Sequence, residues 1–113
     1  MQYMLQIFDG ATDTFERLSE DDKVAVFGEY AAISAENDVT GGAQLQPPTT
    51  ATTVQVRDGK TLTTDGPFAE TKEALGGYYL LEAEDLDRAI ELAARIPAAR
   101  MGGAVEVRPV VER

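Results

Sequence analysis

The apolar positions along this chain predict several strands and two helices. Leu86, Ala89, Ile90 and Ala93 recur at helical spacing before Pro97, which favours an amphipathic helix ending ahead of the proline. Branched and aromatic residues are concentrated instead in short runs, as is typical of strands. The patterns predict helices at about 19–37 and 86–95, and strands at 2–8, 43–46, 52–57, 60–64, 78–83 and 104–110.

The first helix carries a clear start signal but an irregular apolar face. Ser19 can cap the first turn, and the three acids that follow it suit the positive end of the helix dipole. Helical spacing places Val24, Phe27, Tyr30 or Ala31, and Ser34 or Ala35 on the inner stripe. Gly28, inside this helix, costs about 1 kcal/mol relative to alanine. We interpret Gly28 as a site of close packing against a strand, with close approach of a ligand to the backbone as the alternative.

A hairpin is predicted around Asp58-Gly59. This dipeptide favours a type I′ turn, because both of its positions need positive φ. A two-residue loop fixes the register, so that Val56 faces Thr61 and Val54 faces Thr63. One face of the hairpin is therefore β-branched.

The element order predicts an α+β fold. Two β-α-β halves joined through a hairpin excursion describe a ferredoxin-like βαββαβ sandwich with an inserted β-hairpin. Both helices then cover one face of the sheet. The strands at 2–8 and 78–83 are apolar on both faces, so the second face needs another cover. A twofold homodimer that packs sheet against sheet is the economical solution.

Composition and charge exclude several classes of chemistry. The chain has 113 residues, no cysteine, no histidine and a net charge of −10. Thiolate or histidine metal sites and the Ser-His-Asp triad are therefore impossible, and we expect no metal and no cofactor. The acidic balance disfavours nucleic acid and anionic membranes as partners. The sequence contains no signal-peptide pattern and no apolar run long enough for a spanning helix, so we expect a soluble cytoplasmic protein.

One segment resembles a known family. Asp65-Gly66-Pro67-Phe68, followed by 69–73 and Gly76-Gly77, resembles the signature of the DGPF group within the YCII-related proteins, and the resemblance extends over nearly the whole chain. It implies a single domain over 1–113 and a dimeric α+β barrel. Several YCII-like proteins have a His–Asp pair proposed for acid–base work, which a chain without histidine cannot possess.

The same segment supplies the candidate site residues. Asp65 could serve as a general base, or it could cap its turn through the side chain. Gly66, Pro67 and Phe68 would edge a ligand pocket. We interpret the Phe68 ring as a core plug, with a stacking platform for a ligand as the alternative. Glu70 and Lys72 could contact a ligand, whereas the alternative for this part of the chain is a solvated loop.

Two functions remain open on this basis. The first is a dimeric scaffold that binds a small molecule in a pocket edged by residues 65–68, with a possible regulatory role. The second is a cofactor-independent isomerase- or lyase-like enzyme that uses Asp65 as acid or base.

Overall fold

The computed structural model describes residues 1–10, 14–68 and 74–113. The elements agree in kind and order with those predicted, although β2 begins earlier and β5 is longer. Short 3-10 turns lie at Pro48–Thr50 and Pro97–Ala99. The strands are β1 (Gln2–Asp9), β2 (Val39–Gln44), β3 (Thr52–Arg57), β4 (Lys60–Asp65), β5 (Ala74–Glu82) and β6 (Ala104–Pro109), and the helices are α1 (Glu20–Ser34) and α2 (Leu86–Ala94).

The main sheet has the ferredoxin-like order β2-β5-β1-β6, with antiparallel pairing throughout. One face of β1 and β5 is buried against the two helices, so the predicted α+β sandwich is confirmed. Neither α1 nor α2 combines the length and apolar composition needed to span a bilayer. The buried cluster consists of Tyr3, Leu5, Ile7, Ile33, Tyr79, Leu81, Ala83, Ala89, Leu92, Ala93, Ile96 and Ala98.

Both helices begin with a side-chain cap, which for α1 is the predicted Ser19. The Asp22 amide donates to the Ser19 hydroxyl at 3.1 Å, and the Arg88 amide donates to the Asp85 carboxylate at 2.9 Å. Each side chain satisfies one of the amides that a first helical turn leaves without a partner. Local sequence is therefore enough to place both helix starts.

The inner face of α1 differs from the predicted one. Val26 and Ile33 are buried, whereas Val24 and Phe27 are 68% and 55% exposed. Packing against the sheet therefore buries a different face of α1 from the predicted one, because the apolar residues of this helix are not confined to one side. The close-packing interpretation of Gly28 is wrong as well, because nothing lies within 4 Å of the position its Cβ would occupy.

Strands β3 and β4 form a separate two-stranded sheet, which we call the arm (residues 52–65). Its register pairs Val56 with Thr61 and Val54 with Thr63, as predicted. Asp58 and Gly59 have φ values of 51° and 74°, as a type I′ turn requires. The arm helps to give the chain a radius of gyration of 16.0 Å, against roughly 13 Å for a compact domain of this length.

An ionic cluster ties the end of α1 to α2. The Arg88 guanidinium lies 3.3 Å from carboxylate oxygens of both Glu36 and Asp38, and Arg95 lies 2.7 Å from Glu36. The hydrogen bond from Arg95 lowers the pKa of Glu36, with the charges of both arginines adding to it. These contacts orient α1 on the sheet and thereby shape the space beside it.

Candidate functional site

The signature segment lies where the chain leaves the arm. Gly66 has φ of +100°, a conformation that suits glycine because L side chains are strained there. Its amide donates to the Ala51 carbonyl at 2.7 Å, and the Thr53 hydroxyl donates to the Gly66 carbonyl at the same distance. These bonds close the base of the arm, which gives Gly66 a structural reason for its place.

Asp65, Pro67 and Phe68, which flank Gly66 in the tetrapeptide, face solvent. Asp65 and Pro67 are exposed, and Phe68 is 79% exposed, so the core-plug interpretation of Phe68 is wrong. Within the described chain, no donor forms a hydrogen bond with the Asp65 side chain. The predicted contacts of Glu70 and Lys72 lie outside the described residues.

A large cavity lies between α1 and the sheet. It has a volume of about 1110 Å³, and its wall comes from the ends of β1 and β5, from β2 and from the inner side of α1. Residues 65–68 are not among its described lining. The cavity therefore borders the Gly76-Gly77 end of the signature segment, whereas Asp65, the predicted base, does not line it.

Asp9 supplies a carboxylate to this cavity. The pairing of β1 with β5 shifts register between Ile7 and Phe8, which leaves Gly76 as the extra residue opposite. A bulge of this kind re-aims nearby side chains. The Asp9 carboxylate lies directly over Gly76, where a Cβ would overlap it. Gly76 thus makes room for Asp9.

The surroundings of Asp9 favour its protonated form. The residue is exposed at the cavity mouth, yet the protein atoms around its carboxyl group reduce hydration and raise its pKa. The negative charge of Glu16, which also lines the cavity, raises the pKa of Asp9 further. A carboxyl group with a raised pKa can exchange a proton closer to neutral pH than an ordinary aspartate.

Three hydroxyl groups lie along the same wall. The Tyr79 phenol donates to the Tyr30 backbone carbonyl at 3.2 Å, and the Ser34 hydroxyl donates to the Tyr79 oxygen at 3.3 Å. Burial raises the pKa of the Tyr30 phenol, and the charge of Asp9 adds to this effect. Tyr30 consequently keeps its proton at neutral pH and can donate a hydrogen bond beside Asp9.

An aromatic lip borders the cavity. Phe15 and Phe27 meet edge to face with centroids 5.5 Å apart, and both rings line the space. The Lys23 ammonium lies 5.7 Å from the centre of the Phe15 ring and 3.7 Å from Glu20. This lip offers an apolar surface, with a cation next to it, to a planar ligand.

Asp9 is not among the site residues predicted from the sequence. A carboxylate directly after an apolar strand was the available signal, but the position of Gly76 beside it depends on strand pairing. Among residues 1–10, 14–68 and 74–113, no cluster of three or more potential metal ligands occurs.

The comparisons with known proteins place this architecture in a family. The family model for the YCII-related domain matches residues 1–113. The chain is a YCII-related domain. This confirms the family indicated by the signature segment.

The proteins similar to this chain include an uncharacterised bacterial protein and an enzyme of known structure. An uncharacterised protein of Rhizobium meliloti (strain 1021) is 45% identical over 69 residues, which is 60% of this chain and 56% of that protein. A solved structure of 5-chloro-2-hydroxyhydroquinone dehydrochlorinase from Burkholderia phenoliruptrix AC1100, in complex with 2,5-dihydroxybenzoquinone, has a TM-score of 0.53 at 16% identity. The structural match covers 100% of this chain and 96% of the dehydrochlorinase. At 16% identity this similarity supports the ferredoxin-like fold alone.

Proposed function

We propose that this YCII-related domain binds a small oxygenated ring compound between α1 and the sheet, and that Asp9 exchanges a proton with it. The observation that carries the proposal is the Asp9 carboxylate, which has a raised pKa and lies at the mouth of a large cavity. Perturbed titratable groups in a cavity are typical of functional sites.

The cavity suits a ring with polar substituents. Its volume of about 1110 Å³ lies slightly above the range of roughly 300–1,000 Å³ for small-molecule sites. The Phe15 and Phe27 rings provide apolar surface, while the Tyr30 phenol and Asp9 provide one donor and one acceptor. A hydroquinone or hydroxyquinone matches this division, since its ring is flat and its oxygens lie at the edge.

Proton transfer in this cavity needs a base and a hydrogen-bond donor, and Asp9 and Tyr30 supply these two groups. Asp9 in its ionised form accepts a proton from a ring hydroxyl or ring carbon, and Tyr30 donates a hydrogen bond to an oxygen that becomes negative. In an elimination of HCl from a chlorinated hydroxyhydroquinone, the base takes the proton and chloride leaves with the bonding electrons. Such a step consumes no oxidant, which is compatible with the cofactor-independent alternative predicted from the sequence.

Ligand binding without turnover is the second candidate function. The negative charge of Glu16, which raises the pKa of Asp9, favours it, because a raised pKa widens the pH range in which the carboxyl group is protonated and donates a hydrogen bond. A regulatory binding domain would use Asp9 in this neutral form. The site is the same in both cases, and only the fate of the ligand differs.

A single set of variants separates these functions. Binding of 2,5-dihydroxybenzoquinone is measured by calorimetry, and chloride release from 5-chloro-2-hydroxyhydroquinone is followed, for wild type, Asp9→Asn and Asp65→Asn. The enzyme hypothesis expects Asp9→Asn to lose turnover at least 100-fold while Asp65→Asn retains it. Binding with no chloride release by wild type would favour the second candidate.

Two results would contradict the proposed site. If Asp65→Asn abolished binding or turnover and Asp9→Asn did not, the chemistry would belong to the signature segment. If neither quinone compound bound to the wild type at millimolar concentration, the ring-compound proposal would be wrong. Thermal melting of each variant checks that the fold is retained.

A further inference from the structure

We infer that the cavity selects its ring compound by charge: Asp9 and Glu16 favour a ring that carries a positively charged amino side group over the same ring with a carboxylate. This ligand class rests on the proposed function in one respect, namely that the ligand lies in the cavity between α1 and the sheet. It does not depend on proton transfer by Asp9.

The charged side chains that line the cavity in the described part of the chain are acidic. Asp9 and Glu16 contribute to the wall, and no lysine or arginine is among the described lining residues. Arg17, next to Glu16 in the chain, is exposed. By sequence, 11–13 and 69–73, which lie outside the described residues, contain three acidic residues and one basic residue. A cleft lined by charge of one sign attracts ions of the opposite sign, which here are cations.

Two basic side chains close to the cavity have acidic partners. The Lys23 ammonium lies 3.7 Å from a carboxylate oxygen of Glu20. Arg100, whose charge acts on the Tyr30 phenol, lies 2.7 Å from a carboxylate oxygen of Glu29. The opposite charges of each pair largely cancel at the distance of a bound ligand. The two lining carboxylates therefore leave an excess of negative charge in the described wall.

The excess of negative charge acts on the Asp9 carboxyl group itself. Burial, and then the charge of Glu16, raise the pKa of Asp9, so its surroundings disfavour further negative charge. A ligand carboxylate near Asp9 would add another like charge. A ligand ammonium group would instead form charge-assisted hydrogen bonds with the carboxylates.

The aromatic lip suits the same class of ligand. The Lys23 ammonium, 5.7 Å from the centre of the Phe15 ring, is an example within this chain of an ammonium group held by the lip. Phe27 lies edge to face with Phe15, and the Tyr30 ring lines the same cavity. These rings offer apolar surface to the ring of the ligand, while the acidic side chains attract its amino group.

Three compounds with one ring and different side groups test the charge selection. They are 2,5-dihydroxybenzylamine, 2,5-dihydroxybenzyl alcohol and 2,5-dihydroxybenzoate, whose side groups are positive, uncharged and negative at neutral pH. Dissociation constants are measured by calorimetry at about 0.15 M salt, where exposed charges more than about 8 Å apart are largely screened. Wild type is expected to bind the amine at least about tenfold more tightly than the benzoate, with the alcohol between them.

The variant Glu16→Gln tests whether the lining carboxylates cause this preference. It should lower the ratio of the benzoate and amine dissociation constants at least about threefold, because a unit charge several ångströms away has an effect of this size even in water. The matched control is Glu112→Gln, which removes the same charge from an exposed residue. Glu112 follows β6 at the opposite end of β1 from Asp9, so the ratio should change less than about twofold. Thermal melting checks that both variants fold.

A second measurement uses the unmodified protein and locates the amine. The carboxyl resonances of Asp9 and Glu16 are followed by nuclear magnetic resonance during a pH titration, with each compound present in turn. The amine is expected to lower the apparent pKa of Asp9, whereas the alcohol carries no charge and should leave it unchanged. The Tyr30 phenol, which also interacts with Asp9, keeps its proton over this pH range.

The outcomes separate the charge selection from the proposed function. Equal binding of the three compounds, or tighter binding of the benzoate, would overturn the charge selection and leave the cavity as a ring-binding site. An unchanged ratio in Glu16→Gln, or an amine that binds without altering the pKa of Asp9, would overturn it as well. If none of the three compounds bound at millimolar concentration, the charge selection and the ring-binding cavity would both be wrong.

Discussion

Replacing Gly76 with alanine tests whether the position of the Asp9 carboxylate matters. Gly76 has no positive φ, so the backbone accepts alanine without strain. The new Cβ would coincide with one carboxylate oxygen of Asp9. That oxygen belongs to the end of a flexible side chain, which can move away while the strands stay paired.

The expected loss of activity follows from the distance by which the Asp9 carboxylate must move. Restoring an ordinary contact requires the nearer carboxylate oxygen of Asp9 to shift by about 1.5 Å. A misplacement of about 1 Å can cost about 100-fold in rate, or about 2.7 kcal/mol in the barrier. Stability should change little or even rise, because glycine within a strand costs roughly 0.5–1 kcal/mol relative to alanine.

The assay combines chloride release, quinone binding and thermal melting on one set of proteins. Gly76→Ala is expected to lose activity or affinity without a lower melting temperature. Gly28→Ala is the matched control, since the same change there meets open space. The double variant Asp9→Ala/Gly76→Ala should be no worse than Asp9→Ala alone, because both changes act through one carboxylate.

Two results would refute the reasoning. Gly76→Ala with activity and affinity within threefold of wild type would mean that the Asp9 position is unimportant. A fall of several degrees in melting temperature would instead place the damage in the pairing of β1 and β5.

The remaining predictions concern stability and are checked by chemical or thermal unfolding. Gly28→Ala should stabilise the protein by about 1 kcal/mol, because alanine is the better helix former; an unchanged free energy of unfolding would contradict this. Gly66→Ala should cost about 1–2 kcal/mol, since its φ is positive, and equal stability would show that the turn relaxes. Asp65→Ala and Asp65→Asn should have free energies of unfolding within about 0.5 kcal/mol of each other. A distinctly less stable alanine variant would instead support the capping role of the Asp65 side chain. The folded-state pKa of Asp9 lies above its ordinary 3.8, so the native protein binds this proton more readily than the unfolded chain and loses stability as pH rises through the raised pKa. Asp9→Asn should therefore become more stable relative to wild type over the same pH range. Parallel curves of stability against pH for the two proteins would argue against the shift.

Local features of the chain could be predicted because the residues that decide them are neighbours. The Asp58-Gly59 turn fixes the register of the arm, and Ser19 caps α1 with its own side chain. Steric limits on φ and hydrogen bonds to the adjacent turn act within a few residues. The α+β order follows from these elements together with the spacing of apolar residues.

The candidate site depends on contacts that no local pattern contains. Asp9 reaches its place because β1 pairs with the distant strand β5 and a bulge occurs at Gly76. The stripe of α1 that faces the sheet is likewise selected by packing, so that Val26 is buried and Val24 is exposed. The signature segment drew attention to Asp65, but its side chain lies at the solvent-exposed base of the arm. Sequence determined the elements through short-range sterics and hydrogen bonding. Only the tertiary structure decided which side chains share a cavity, because long-range strand register brings them together.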